Sequence, residues 1–342
     1  MTRTGTRLDL TRSQILAFRR HVGALDERLP PGPASLQRAA WAGLQDSMPR
    51  AALLSIHARV DGTASSAWED PSLVQLWGPR FSVFVVAACD LAVFSLGTMP
   101  DDATGRQRAE DLAADLAAAI GAERTPHKEA GGRLGIDPNR LRYAAATGTV
   151  LIRWEGARQP TVWIVPAPDT TAREARLELA RRYLRSYGPT TPEAFGRWAG
   201  IGPRPAITAF EALAGSMTPM RTPVGEAWLL SEDEAAVRAE PGPTAPARLL
   251  PSGDSFFLLQ DADRDLLVPD VASQRELWTS RVWPGALLVD GEPAGTWRRA
   301  GAVLTVQTWR PLSRAERDAV EAEAASLPLP GIPGHAVVRW DA

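Results

Sequence analysis

The sequence predicts an α+β fold: three tandem winged-helix units followed by a C-terminal β-rich segment. Three observations carry this reading. One order of elements, three helices and then a β-hairpin, repeats three times. Capping signals mark where helices start. After residue 245 the pattern changes to short strand-like runs separated by Gly, Pro and Asp turns. A chain of 342 residues is long for one core and suits several small ones. With 44% hydrophobic and 23% charged residues it reads as globular, which excludes disordered and fibrous classes.

The third unit, residues 171–232, is the clearest. Thr171 and Glu174 form a capping box that opens a helix through Leu177, Leu179, Ala180, Tyr183, Leu184 and Tyr187. Gly188-Pro189 stops that helix, and Thr191-Pro192 starts a short one carrying Phe195 and Trp198 up to Gly200. A third helix is expected from about Pro203 to Leu213. Residues 217–230 then read as a hairpin turning at 222–225.

The second unit, residues 101–170, repeats the order. Leu112, Leu116 and Ile120 mark a helix over 106–120, and Lys128–Leu134 a short second helix. Asp137-Pro138 opens a third, which carries Asn139, Arg140, Arg142 and Tyr143. Residues 149–154 and 160–165 form the expected hairpin, with Arg153 and Arg158 on its wing. The first unit, residues 1–100, has a capping box at Thr11 and Gln14 that opens a helix over 12–22. Further helices are expected over 35–44 and 49–60, and a hairpin of 73–77 with 81–86. In the last segment, 245–342, the runs 249–260, 284–297 and 302–311 read as strands. Ser313 and Glu316 cap a helix over 313–326.

Charge narrows the function classes. The net charge is −2, but residues 1–123 carry −2, 124–204 carry +7 and 205–342 carry −7. A basic middle fits a localised phosphate-binding face, since binding follows the local field; a solvated helical surface reads equally well from charge alone. One cysteine, Cys89, excludes an internal disulfide. His21, His57, His127 and His335 are scattered without metal-ligand spacing, so no metal and no cofactor are expected. There is no phosphate-cradling loop and no nucleophile elbow. Without an apolar leader or a long apolar run, the expected location is cytoplasmic, with no membrane contact.

Four stretches carry a resemblance. They are 43–52 (GLQDSMPRAA), 182–190 (RYLRSYGPT), 197–200 (RWAG) and 289–299 (VDG followed by GTWRR). In this order, over nearly the whole chain, they resemble the bacterial winged-helix DNA-binding domain family whose characterised members are DNA glycosylases. Those members include the azinomycin-resistance and crosslink-unhooking enzymes. The resemblance implies three winged helices around duplex DNA and cleavage of the glycosidic bond to an N-alkylated purine, commonly N7-alkylguanine, without metal or cofactor. It implies a catalytic motif of glutamine, any residue, then glutamine or aspartate after Gly-Leu.

Here the motif reads Gln45-Asp46-Ser47. Gln45 matches the first position; Ser47 is shorter and a weaker acceptor than the second position calls for. The first wing, where relatives carry an Arg-Gly-Thr-x-His run, reads Arg80-Phe81-Ser82-Val83-Phe84. Candidate catalytic residues are therefore Gln45, Asp46 and Ser47. Arg50, Arg80, Asn139, Arg140, Arg142, Arg153 and Arg158 are candidate DNA contacts, and His57, Arg59 and Asp254 candidate cleft residues. Structural roles compete for the last three: His57 as a core-edge histidine, Asp254 as a turn former.

The expected partner is double-stranded DNA, alkylated or crosslinked. Two functional readings stay open: a monofunctional glycosylase acting on alkylated or bulky-adducted bases, and a non-catalytic DNA binder that regulates or sequesters lesions. A protein-interaction scaffold ranks third.

Overall fold

The computed structural model describes residues 8–46, 50–155, 158–332 and 334–341. The fold is a mixed α and β assembly of small sheets and helices. Strand β1 (Leu8–Asp9) and helix α1 (Arg12–Val22) come first. The next elements are α2 (Pro33–Ala39), β2 (Leu44–Gln45), α3 (Ala51–His57), β3 (Leu73–Trp77), β4 (Val83–Ala87) and α4 (Leu91–Ser95). Then follow α5 (Ala103–Ile120), β5 (Thr125–Pro126), α6 (His127–Arg133), a 3-10 helix at Pro138–Thr147, β6 (Val150–Arg153) and β7 (Thr161–Ile164). The third group is α7 (Ala172–Tyr187), α8 (Pro192–Ala199), α9 (Pro203–Leu213), β8 (Met217–Thr222) and β9 (Gly225–Leu230). The chain then runs through α10 (Glu234–Arg238), β10 (Ala247–Leu250), α11 (Ala262–Leu267), α12 (Val271–Leu277), β11 (Gly285–Val289), β12 (Glu292–Ala300), β13 (Val303–Thr308), α13 (Arg314–Ala325) and β14 (Val337–Trp340).

The first two groups share one topology. A helix leads to a two-residue strand, and that strand pairs antiparallel with the second strand of the following hairpin. The sheet orders are β2-β4-β3 and β5-β7-β6. In the third group Thr190 makes the corresponding bridge to Trp228 of β9, and β1 adds to the far side, parallel to β8. Helix α1 accordingly packs on this third group. Ile15, Phe18 and Val22 share a core with Met220, Leu229 and Val237. Buried Arg19 reaches the carbonyls of Tyr187 and Pro189 and the carboxylate of Asp263.

Local sequence explains these elements. The capping boxes of α1, α7 and α13 all form, with Thr11, Thr171 and Ser313 accepting from the third-residue amide and Gln14, Glu174 and Glu316 returning the bond. Each such cap stabilises its helix by about 1 kcal/mol. Helix α7 turns Leu179, Tyr183, Leu184 and Tyr187 into the largest core, against Phe195, Trp198 and Phe210.

Two expectations are corrected. The helix expected over 35–44 ends at Ala39, and residues 44–45 extend to pair with Val85 and Phe84. Gly43 makes the turn possible, with φ +74° and a position where a Cβ would lie 2.6 Å from Phe94. The strand expected over 249–260 is a strand only to Leu250; beyond it, Asp254 accepts from the Phe256 amide and turns the chain.

The C-terminal sheet, order β10-β11-β12-β13-β14, is antiparallel except for the β13–β14 pair. Helix α13 covers it through Val320 and Ala324, and Leu54 of α3 enters the same core. Arg28 grips Glu323 of α13 through two 2.8 Å bonds. This sheet is thereby fastened to the segment that carries Gln45.

Candidate active-site cleft

Gln45 stands on β2, fixed by the pairing of Leu44 and Gln45 with β4 and by the Asp46 amide, which donates to the Val83 carbonyl at 2.8 Å. Its side chain lines a cleft of about 370 Å³ together with Arg80, Gln260, Arg264, Arg281 and Trp283. Arg80 Nη2 donates to Gln45 Oε1 at 3.1 Å. Among the described residues three arginines line this cleft and no carboxylate does, so its field favours anions. Burial holds the guanidinium pKa values of Arg80 and Arg264 below their ordinary range. Arg264 lies over the ring faces of Trp278 and Trp283, at 5.0 and 5.4 Å, and donates Nε to the Leu259 carbonyl.

Asp46 has a different environment. It is 1% exposed and outside the cleft lining. One carboxylate oxygen accepts from the Ala52 amide at 3.0 Å, near the start of α3, and the other from Gln75 Nε2 at 2.8 Å. Gln75 in turn accepts from the Trp154 amide at 2.5 Å. Burial pushes the Asp46 carboxyl up to about 6, partly opposed by the Ala52 hydrogen bond. Ser47 lies outside the described residues, as do 156–157 between β6 and β7.

His57, Arg59 and Asp254 also stand outside the cleft lining. Arg59 and Asp254 form a buried bidentate pair at 2.7 and 2.8 Å, and Asp254 accepts from Ser55 Oγ at 2.6 Å and from the Phe256 amide at 2.9 Å. Their charges cancel each other and are unavailable to a substrate. The pair still matters to the cleft, because it clamps α3 to the loop that bears Ser252, Gly253 and Gln260. His57 Nε2 is 3.2 Å from Arg28 Nη2 and 3.0 Å from Ser326 Oγ. Burial, then the nearby Arg28, pushes its pKa down to about 3, so the ring is neutral near pH 7.

The arginines singled out for DNA divide into three sets. Arg50 and Arg153 lie against the Trp68 ring, each 3.7 Å from its centre, and Arg153 pairs with Glu69 at 3.2 Å. Arg80 belongs to the cleft. Asn139 and Arg140 are exposed, while Arg142 leans on Tyr143 and Phe81 at 5.3 and 6.0 Å. Arg158 is 83% exposed and meets Glu155 at 3.4 Å.

Sequence reasoning missed Gln260, Arg264, Arg281 and Trp283. Nothing short-range marks them: they follow the last hairpin of the repeats, and only the return of the chain beneath β2 brings them to Gln45. Among the described residues no group of three or more His, Cys, Asp or Glu could hold a metal ion, and no helix is long and apolar enough to cross a membrane.

The family model for AlkZ-like DNA glycosylases matches residues 39–328, which takes in both walls of this cleft. The chain belongs to the AlkZ-like DNA glycosylase family. A curated relative, the interstrand DNA cross-link repair glycosylase of Streptomyces sahachiroi, is 29% identical over 170 residues. That match covers 48% of this chain and 43% of the relative. The solved structure of the Streptomyces sahachiroi DNA glycosylase AlkZ superposes with a TM-score of 0.79 at 18% identity. It covers 98% of this chain and 100% of the other, a likeness of fold. DNA is thus the substrate class of the family, and Gln45, Arg80 and Gln260 all fall inside its matched span.

Proposed function

We propose that this AlkZ-like protein is a monofunctional DNA glycosylase that excises N7-alkylguanine-type or bulky-adducted bases from duplex DNA by water attack. The three repeated groups, with their short third strands, act as winged-helix units that hold the duplex. The observation that carries the reading is the presentation of Gln45: a strand-borne amide on the wall of a 370 Å³ cleft with an indole and a second amide, Gln260. The family assignment supports it.

The chemistry asked of the protein is modest. An N7-alkylated guanine is already cationic, so it leaves readily. Water oxygen bonds to C1′ as the C1′–N9 bond breaks. The electron pair stays on N9 and neutralises the base, and the water's proton passes to solvent. Gln45 orients that water, a contribution of geometry more than of basicity. Ser47 stands second in the motif, with a hydroxyl in place of the family's amide or carboxylate. Asp46, bonded on both oxygens, acts as a strut that sets the angle of β2. Trp283 on the cleft wall offers a ring face to a base taken out of the stack, which costs less for a damaged base, and the positive field favours the phosphates on either side of that base. Asn139, Arg140, Arg142 and Arg158 meet phosphate on the outer face of the second unit.

The test is base release. Duplex DNA treated with an N7-alkylating agent is incubated with the native protein, Gln45→Ala and Ser47→Gln, and freed purines are quantified by mass spectrometry. Release by the native protein that falls about 10²-fold or more in Gln45→Ala supports the proposal. No release from the native protein, with gain in Ser47→Gln, identifies a scaffold that binds DNA without cutting it.

A further inference from the structure

Arg80 stands on the wall of an open cleft, yet its guanidinium is turned into the protein. Nη2 donates to Gln45 Oε1 at 3.1 Å and Nη1 to the carbonyl of Trp198. No carboxylate pairs with it among the described residues. A fork used in this way cannot also grip a phosphate with both arms. The backbone is bent to deliver it. Arg80 and Phe81 have φ of 55° and 54°, a region that non-glycine residues seldom occupy. The fit is close: a Cβ on Gly200, the residue ending α8, would lie 3.0 Å from the Arg80 nitrogen and 3.2 Å from its Cγ. Two adjacent strained residues persist only where the surroundings hold them.

The terminal torsion of a free glutamine is broad and roughly two-fold, so an unrestrained amide would present oxygen and nitrogen to the cleft by turns. Arg80 removes that ambiguity because it can only donate. We infer that Arg80 is the positioning residue for Gln45. It takes one lone pair of Oε1, fixes which way the amide faces, and leaves the second lone pair and Nε2 to hold water. The inference rests on the glycosylase reading above, and it reassigns Arg80 from phosphate contact to the water-holding apparatus.

The experiment uses the full chain and a duplex with a single N7-methylguanine. Single-turnover base release and duplex affinity are measured for the native protein, Arg80→Lys, Arg80→Ala, Gln45→Ala and the double Arg80→Ala/Gln45→Ala variant. The expected result is a rate loss of about 10²-fold in Arg80→Ala, with duplex affinity changed less than about threefold. The double variant should be no slower than Gln45→Ala, because the two residues act as one unit. Arg80→Lys should recover part of the rate. Added ethylguanidinium should speed Arg80→Ala and leave Gln45→Ala unmoved, which a merely structural role would not produce.

Losses that add in the double variant, or a loss confined to duplex affinity, would overturn the assignment. Should the native protein release no base, the glycosylase reading falls and the pairing is judged separately by the side-chain amide NMR signals of Gln45. Signals shifted from free-amide values in the native protein and relaxed toward them in Arg80→Ala uphold it; identical signals in both refute it.

Discussion

The first and second repeated groups share an order of elements and a sheet topology, but they use their arginines in opposite ways. In the first, Arg59 is cancelled by Asp254, Arg50 lies on Trp68, and Arg80 holds Gln45. In the second, Arg140 and Arg158 project into solvent, and Arg142 rests half-exposed on an aromatic pair. One unit therefore converts positive charge into internal order around a cleft, while the other keeps it for the field outside. Similar topology does not imply similar work: Arg59, neutralised by Asp254 in a low-dielectric interior, contributes little to long-range attraction, and Arg80 commits its donors to Gln45 and the Trp198 carbonyl.

The sharpest way to break this contrast is to open the buried pair. Asp254→Ala should lower unfolding stability by about 3–5 kcal/mol, because it leaves Arg59 charged and unpartnered in the interior. Chemical denaturation measures the loss, and a change below about 1 kcal/mol would mean that Arg59 finds another partner or water. Asp46 gives the next effect. Its carboxyl is raised to about 6 in the folded protein, above the unfolded value near 4. The folded state therefore favours the neutral form: the associated stability is present below about pH 4 and lost as pH rises through about 6. Compared with Asp46→Asn, the native protein should lose on the order of 2 kcal/mol across that window and run parallel above it. Denaturation curves at pH 4 to 8 decide; parallel curves throughout would show that the carboxylate is ionised at no net cost.

On the other side of the comparison, reversing Arg140 and Arg158 to glutamate should weaken duplex binding by about tenfold. It should also make the salt dependence shallower, by roughly one counterion for every phosphate that the protein no longer neutralises. Titrations at several salt concentrations test this, and an unchanged slope would move the phosphate face elsewhere. The smallest effect sharpens the boundary. Arg153 belongs to the second unit but lies on Trp68 of the first. Arg153→Ala should cost about 0.5–1 kcal/mol of stability and change duplex affinity little. A large loss of affinity would return Arg153 to the outer face.

Much of the fold was legible because its causes are local. Thr11, Thr171 and Ser313 with their partners three residues on opened the expected helices, and the alternating runs at 150–153, 161–164 and 217–230 became hairpins. The helix expected over 35–44 failed where a long-range packing event intervened, since the rings of Phe84 and Phe94 leave room only for glycine at 43. Gln45 was singled out by motif resemblance, but nothing nearby in the chain distinguishes it in environment from Asp46 beside it.

That distinction is tertiary. By itself the sequence determined the repeated helix and hairpin order, the caps, the basic middle and the family motif, because each depends on neighbours within a few residues or on a matched string. Only the tertiary structure decided that Gln45 faces a cleft while Asp46 is buried, that Arg80 bonds the amide, and that Gln260, Arg264 and Trp283 close the opposite wall. The physical reason is that burial and hydrogen-bond partners set what an amide, a carboxylate or a guanidinium can do, and here those partners arrive from parts of the chain far away in sequence.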